Sequence, residues 1–366
     1  MKKENPILKR EEQAVFALRE LYSRYGYLPY KMSRFEEYDL YVRNKDFLAS
    51  QQIITFADRS GKLLALKPDV TLSIIKNAPD QPGTVQKLYY NESVFRADPA
   101  SHVLKEILQA GLECVGDLTG YEIAEVVLLA AKSLSLVGGQ FVLDLSHMGL
   151  IHAVLDSCNV PPELRSRILQ CLHQKSTHEL SELCAALSAD QLRKIQALAE
   201  VSGEPEAVFA TLCPVLTEEA ELAALEELRQ LCAILDDYKG SIRVDFSVGN
   251  NMKYYNGVVF KGYLEGLPSS ILSGGQYDKL LVKMGRSSRA IGFALYLSML
   301  ERQNVNTGLW DLDTLILHDG SMEPAALMSI SAKAAEEGSV LVATAAPADR
   351  RWKKQIRITN GEVNVL

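Results

Sequence analysis

Asp69 and Thr71 stand two positions apart just after a proline, in Leu66-Lys67-Pro68-Asp69-Val70-Thr71. A short carboxylate with a hydroxyl that close can hold a cation leaving water, because such a cation needs charge-assisted partners. The same aspartate also suits the N-cap of a helix after the proline, and the two jobs are compatible. Gln109 and Glu113 are four apart in Glu106-Ile107-Leu108-Gln109-Ala110-Gly111-Leu112-Glu113. On a β-strand that even spacing sends both side chains to one face, as a shared pocket requires. An isolated pair of this kind is more often a solvated strand face. Arg96 lies upstream, after Phe95. Tyr254 and Tyr255, in Tyr254-Tyr255-Asn256-Gly257, offer a hydroxyl for hydrogen bonding and a ring for packing, although a tyrosine pair in a strand usually packs as core plus surface. Gly274 and Gly275, in Ser273-Gly274-Gly275-Gln276-Tyr277-Asp278, let a ligand approach the backbone closely or simply mark a turn. The six histidines and six cysteines form no His-x-x-x-His pair or Cys/His array, so neither a metal site nor a cofactor is expected.

These residues need a scaffold, and local patterns suggest one. Leu8, Val15, Leu18, Leu21 and Tyr22 fall near helical spacing ahead of Gly26, which predicts an opening amphipathic helix over 8–25. Asp58-Arg59-Ser60-Gly61 reads as a hairpin turn with 63–66 as the return strand, and Pro68 leads into a helix. Residues 87–90 and 106–116 read as strands around a loop at 97–105. A helix over 119–137 and a strand at 141–145 follow. Residues 150–238 are rich in Leu, Ala, Glu and Gln, with capping boxes suggested at Ser176-x-x-Glu179 and Ser188-x-x-Gln191, and read as a helical insertion between two halves of one sheet. Strands, turns and a final helix return over 241–300. A βαβ-like piece closes the chain, with strand 314–318, helix 323–337, strand 339–344 and a short strand pair over 355–366. The fold class is therefore α+β: an antiparallel sheet flanked by helices, in a domain over 1–308, then a small α/β domain over 309–366.

Composition bounds the function. With 47% hydrophobic and 23% charged residues among 366, the chain reads as an ordinary globular protein. Its 46 acidic and 39 basic side chains give a formal charge of −7, a field that repels polyanions, so tRNA binding is not expected. The basic group Arg350, Arg351, Lys353, Lys354 and Arg357 reads as a solvated strand face. Singly scattered cysteines fit a reducing cytoplasm. The polar start, Met-Lys-Lys-Glu-Asn-Pro, does not suit a secretory leader, and no apolar run approaches the ~20 residues that span a bilayer.

Over roughly residues 8–301 the order of these segments resembles histidyl-tRNA synthetase, a class II aminoacyl-tRNA synthetase. Leu66–Thr71 is similar to that family's Leu-Arg-Pro-Glu/Asp-x-Thr, whose acid and threonine hold the amino acid's α-ammonium. The resemblance places Arg96 at the ATP phosphate and substrate carboxylate, Gln109 and Glu113 in the histidine pocket, and Tyr254 and Tyr255 against the imidazole. The adenylation residues depart from the pattern. Anchoring on Tyr254, Tyr255 and Gly257, Asn250 stands at a family arginine and Lys253 at an aspartate. Ser298 and Met299 replace the Glu-Arg that closes Gly-Phe-Ala-x-Gly-Leu-Glu-Arg, and the loop at 97–105 offers Ser101-His102 where an ATP-clamping Gly-Arg is usual. Arg34 stands at a position usually held by proline in the dimer-interface segment. Activation of an amino acid depends on cations at the α-phosphate, and losing one such contact costs on the order of 10² to 10³ in rate.

A paralogous family is similar in these respects: the regulatory subunits of ATP phosphoribosyltransferase, which look like synthetases without adenylation residues or a full anticodon-binding domain. That resemblance implies a cytoplasmic subunit with no catalysis of its own, built on a dimer core. It joins a short-form catalytic phosphoribosyltransferase in a hetero-oligomer, makes it active in the first step of histidine biosynthesis, and takes histidine as effector. The alternative is a divergent histidyl-tRNA synthetase or amino-acid adenylating enzyme recruiting other cations, such as Lys253, Lys105 or Arg289.

Overall fold

The computed structural model describes residues 8–44, 53–98, 101, 103–249, 254–303 and 310–365. The chain divides into two compact units, Met1–Gln303 and Asn304–Leu366. Helix α1 (Arg10–Arg24) buries Ala14, Val15, Leu18 and Tyr22 along one stripe, and the chain leaves it through Gly26 at φ 81°. Strand β1 (Leu28–Pro29) follows, then β2 (Phe35–Glu37) and the short helix α2 (Tyr38–Arg43). β3 (Thr55–Ala57) and β4 (Leu63–Leu66) form the expected hairpin: Asp58 Oδ1 accepts from the Ser60 and Lys62 amides at 2.8 and 2.9 Å. With β2 they make a separate sheet, ordered β2-β4-β3. Pro68 then leads into α3 (Thr71–Asn77).

β5 (Val85–Ala97) and β6 (Leu104–Gly116) form a long hairpin, paired from Val85 with Gly116 to Ala97 with Leu104. The strands are longer than their apolar cores suggest, because a continuous ladder carries Asn91, Glu92 and Ser93, whose local polarity argues against a strand. A Thr119–Glu122 capping box opens α4 (Gly120–Val137), and β7 (Phe141–His147) follows. The insertion runs α5 (Met148–Ser157), α6 (Pro162–Gln174), α7 (Thr177–Leu183), α8 (Ala189–Glu200), β8 (Ser202–Gly203), α9 (Pro205–Leu212) and α10 (Glu219–Ile234). It is thus not wholly helical: β8 pairs with the next strand, β9 (Ile242–Asp245). Ser188 caps α8, accepting from the Gln191 amide at 3.3 Å, whereas Ser176 precedes α7 without a side-chain cap bond. β10 (Val258–Leu264), β11 (Leu272–Gln276), α11 (Asp278–Lys283) and β12 (Arg289–Tyr296) complete this part.

Leu297–Gln303 is a 3₁₀ turn rather than the expected closing helix. Leu297 and Leu300 are both fully buried, and a three-residue spacing fits that tighter period.

The nine-stranded sheet has the order β1-β5-β6-β12-β11-β10-β7-β9-β8. Its pairings are antiparallel except β1 with β5 and β7 with β9. On β10, Val258 and Phe260 enter a core shared with Leu129 and Leu134 of α4. Strand alternation turns Lys261 to the other face. That open face is where polar side chains gather. Among the described residues no helix is long and apolar enough to cross a membrane.

The second unit holds β13 (Leu312–His318), α12 (Pro324–Glu337), β14 (Val340–Ala343), β15 (Trp352–Thr359) and β16 (Glu362–Val365). Its sheet is ordered β14-β13-β15-β16, with β13 parallel to both neighbours and β16 antiparallel to β15. Ile316, Ala334, Ile356 and Ile358 form its core. β15 begins earlier than the expected strand pair, since Leu312 to His318 of β13 offer it partners from Trp352 onward.

Candidate functional site

A cavity of about 270 Å³ opens on the polar face of the nine-stranded sheet. Asp69, Thr71, Arg96, Gln109, Glu113, Tyr254 and Tyr255 all line it. Asp69 and Thr71 come from the start of α3, Arg96 from the end of β5, and Gln109 and Glu113 from β6.

Asp69 stands both at the start of α3 and at the cavity wall. Its Oδ1 accepts from the Leu72 amide at 2.8 Å, capping α3, while the carboxylate faces the cavity. Removal from water raises its pKa, against the pull of the Leu72 amide and Arg96. Arg96 is held in place by a bond from Nε to the Pro68 carbonyl at 2.8 Å. Glu113, 2% exposed, accepts from Thr71 Oγ1 at 2.6 Å and from the Tyr277 hydroxyl. Burial outweighs these two bonds and pushes its carboxyl up to about 8, with the nearby Asp69 acting in the same direction. Gln109 is equally buried, and its amide Nε2 has no hydrogen-bond partner among the described residues. Such an orphaned donor costs free energy unless a ligand accepts from it. The rings of Tyr254 and Tyr255 lie with centroids 4.4 Å apart at one wall.

Two glycines make room for these groups. A Cβ at Gly292, opposite Glu113 in the ladder, would lie 1.7 Å from Glu113 Oε2, and one at Gly275 would lie 2.8 Å from the Tyr255 ring. The carboxylate and the ring therefore rest on bare backbone.

Sequence reasoning missed Tyr90, Lys261, Tyr277 and Tyr296, which also line the cavity. Tyr277 lies in the Gly-Gly segment, where the glycines are the stronger local signal. Lys261 is a lone charge in the apolar run Val258-Val259-Phe260-Lys261-Gly262, a usable signal. Tyr90 and Tyr296 carry no local signature that separates them from core tyrosines.

A family model described as histidyl-tRNA synthetase matches residues 5–300. The ATP phosphoribosyltransferase regulatory subunit of Syntrophotalea carbinolica is 30% identical over 329 residues, which covers 85% of this chain and 76% of that protein. The chain belongs to the histidyl-tRNA synthetase family, among the ATP phosphoribosyltransferase regulatory subunits. Solved structures share the fold of this family. A structure described as an ATP phosphoribosyltransferase regulatory subunit/histidyl-tRNA synthetase from Bacillus halodurans superimposes with a TM-score of 0.75 at 24% identity, covering 98% of this chain and 99% of that one. The ATP phosphoribosyl transferase (HisG:HisZ) complex from Thermotoga maritima gives 0.63 at 19% identity over 78% of this chain and 97% of the matched chain.

Within this family's framework, the departures at Ser298 and Met299 are structural replacements. Met299 packs against the main core, and Ser298 Oγ accepts from the Leu108 amide at 2.8 Å, fastening the 3₁₀ turn to β6. Asn250, Lys253 and His102 lie outside the described residues. Lys105 pairs with Asp98 at 2.5 Å. Arg289 bonds the Leu118 carbonyl at 2.9 Å and lines a different cleft, with His147 and Glu227.

Proposed function

We propose that this chain is a regulatory subunit without adenylating activity, joining a short-form catalytic ATP phosphoribosyltransferase and required for its activity in the first step of histidine biosynthesis. Histidine is its effector, bound in the cavity of Asp69, Thr71, Arg96, Gln109, Glu113, Tyr254 and Tyr255, and a cytoplasmic dimer forms the core of the hetero-oligomer. One observation carries this proposal. The cavity keeps two carboxylates and a Gln109 donor without a partner among the described residues, suited to an amino acid, while Met299 and Ser298 serve core and backbone at the positions of the synthetase's Glu-Arg. The names of the relatives and the Thermotoga complex support it from outside the site. The net charge of −7 supports a function without tRNA.

The test is phosphoribosyl transfer to ATP by the short catalytic subunit, with and without this chain, then with added histidine. Activity should rise with the chain and fall with histidine. Indifference to the chain, together with histidine-dependent exchange of pyrophosphate into ATP by the chain alone, would favour the adenylating enzyme instead.

A further inference from the structure

The acidic groups of the cavity gather around β6 and α3, and its other end has the opposite character. Lys261 on β10 stands opposite Ser273 of β11 on one side and Asp144 of β7 on the other. Lys261, Ser270 and Ser273 all line the cavity. In the sheet order β6-β12-β11-β10, Lys261 is three strand steps from Glu113. That is roughly 14 Å between backbones at about 4.8 Å per step.

Lys261 is half-buried, and its ammonium makes no hydrogen bond and no ion pair within reach among the described residues. The hydroxyls of Ser270 and Ser273 also have no hydrogen-bond partner there. Among the described residues the charged group that acts on Lys261 is Asp144, whose own carboxyl burial pushes up to about 6. Burial lowers the Lys261 pKa, the direction expected of an ammonium short of partners. A half-buried cation across from the Ser273 hydroxyl, with the Ser270 hydroxyl on the same cavity wall, is a set of donors without a protein acceptor among the described residues. Arg96, the other cation lining the cavity among the described residues, is already engaged by the Pro68 carbonyl and by the charge of Asp69.

We propose that Lys261, with the Ser270 and Ser273 hydroxyls, forms an oxyanion subsite at the β10 end of the cavity, taking a carboxylate of the bound amino acid or a phosphate group held beside it. The subsite deepens the histidine-sensing proposal by giving the cavity an acidic end and a cationic end. Ligands with both charges fit such a slot.

Titration calorimetry on the full chain tests it, with wild type, Lys261→Met and Lys261→Arg against histidine, histamine, inorganic phosphate and pyrophosphate. The expected result is that Lys261→Met weakens at least one oxyanion ligand tenfold or more, that Lys261→Arg recovers most of the loss, and that histamine, which lacks a carboxylate, is unaffected. A loss confined to histidine identifies the carboxylate; a loss confined to phosphate and pyrophosphate identifies the phosphate. Thermal unfolding of Lys261→Met at the wild-type temperature guards against misfolding. The proposal is overturned if wild type binds none of the oxyanion ligands, or if Lys261→Met binds them all as wild type does. Histamine binding that Glu113→Gln abolishes would uphold the acidic end even then. Phosphate binding that needs Lys261, with no binding of histamine or histidine, would uphold the subsite and remove histidine as ligand.

Discussion

Glu113 is the residue on which the cavity's electrostatics turn. Its pKa is raised from 4.5 to about 8, chiefly by burial. Between those values the unfolded chain has released the proton and the folded chain keeps it, so the folded state binds more protons and stability falls as pH rises. The loss amounts to about 1.4 kcal/mol per pH unit at most across that window. Asp69, whose pKa is also raised, adds in the same direction above its ordinary range. Glu113→Gln removes the titrating group while its amide oxygen can still accept from Thr71. The wild-type melting temperature should therefore fall between pH 5 and pH 8 relative to the variant, and parallel curves would show that Glu113 is ionised throughout. Asp69, Thr71, Gln109 and Glu113 are readable from the sequence because each pair lies within four residues of one local element, so the turn before α3 and the alternation of β6 place each pair together. Tyr277 is not, since its bond to Glu113 joins residues 164 positions apart.

At the scale of elements, the pairing of β6 with β12 shapes the cavity floor. Gly292 faces Glu113 in that ladder, and an added Cβ would meet the carboxylate at 1.7 Å and the Leu112 carbonyl at 2.5 Å. The backbone contact leaves no escape by rotation of a side chain alone. Gly292→Ala should cost about 1 to 3 kcal/mol in stability, as overpacked sites do. It should also weaken histidine binding tenfold or more while the chain remains folded, read by calorimetry beside circular dichroism. Full histidine affinity in a folded Gly292→Ala would separate the ligand from the Glu113 carboxylate. The strands were only partly legible: 106–116 stood out as an apolar run, but Asn91-Glu92-Ser93 belongs to β5 only because β6 lies along it. β8 is two residues long and exists through its pairing with β9. By contrast, the caps at Thr119 and Ser188 are local events, and the residues that make them lie within three positions of each other.

For the whole molecule, histidine sensing requires coupling between this cavity and a catalytic partner. Coupling of this kind is typically ~1–3 kcal/mol, and it is reciprocal. In the assembled complex, saturating ATP and phosphoribosyl pyrophosphate should change the histidine dissociation constant by the factor by which histidine changes their combined affinity. Asp69→Asn should reduce both effects together. Histidine affinity in the complex that ignores the substrates, with inhibition intact in Asp69→Asn, would place histidine's action at another site.

The sequence by itself determined the chemistry available and the order in which it comes. The Pro-Asp-x-Thr turn, the Gln-x-x-x-Glu strand, the tyrosine pair, the Gly-Gly segment and the uncharged Met299 are contiguous patterns, and contiguous patterns carry their own geometry. The tertiary structure alone decided that Gly292 lies under Glu113, that Tyr277 donates to that same carboxylate, and that Lys261 looks into the cavity away from the core. Those facts depend on the register between strands distant in the chain. A shift of one residue in β10 would turn Lys261 to the opposite face of the sheet, and one in β12 would take Gly292 from under Glu113.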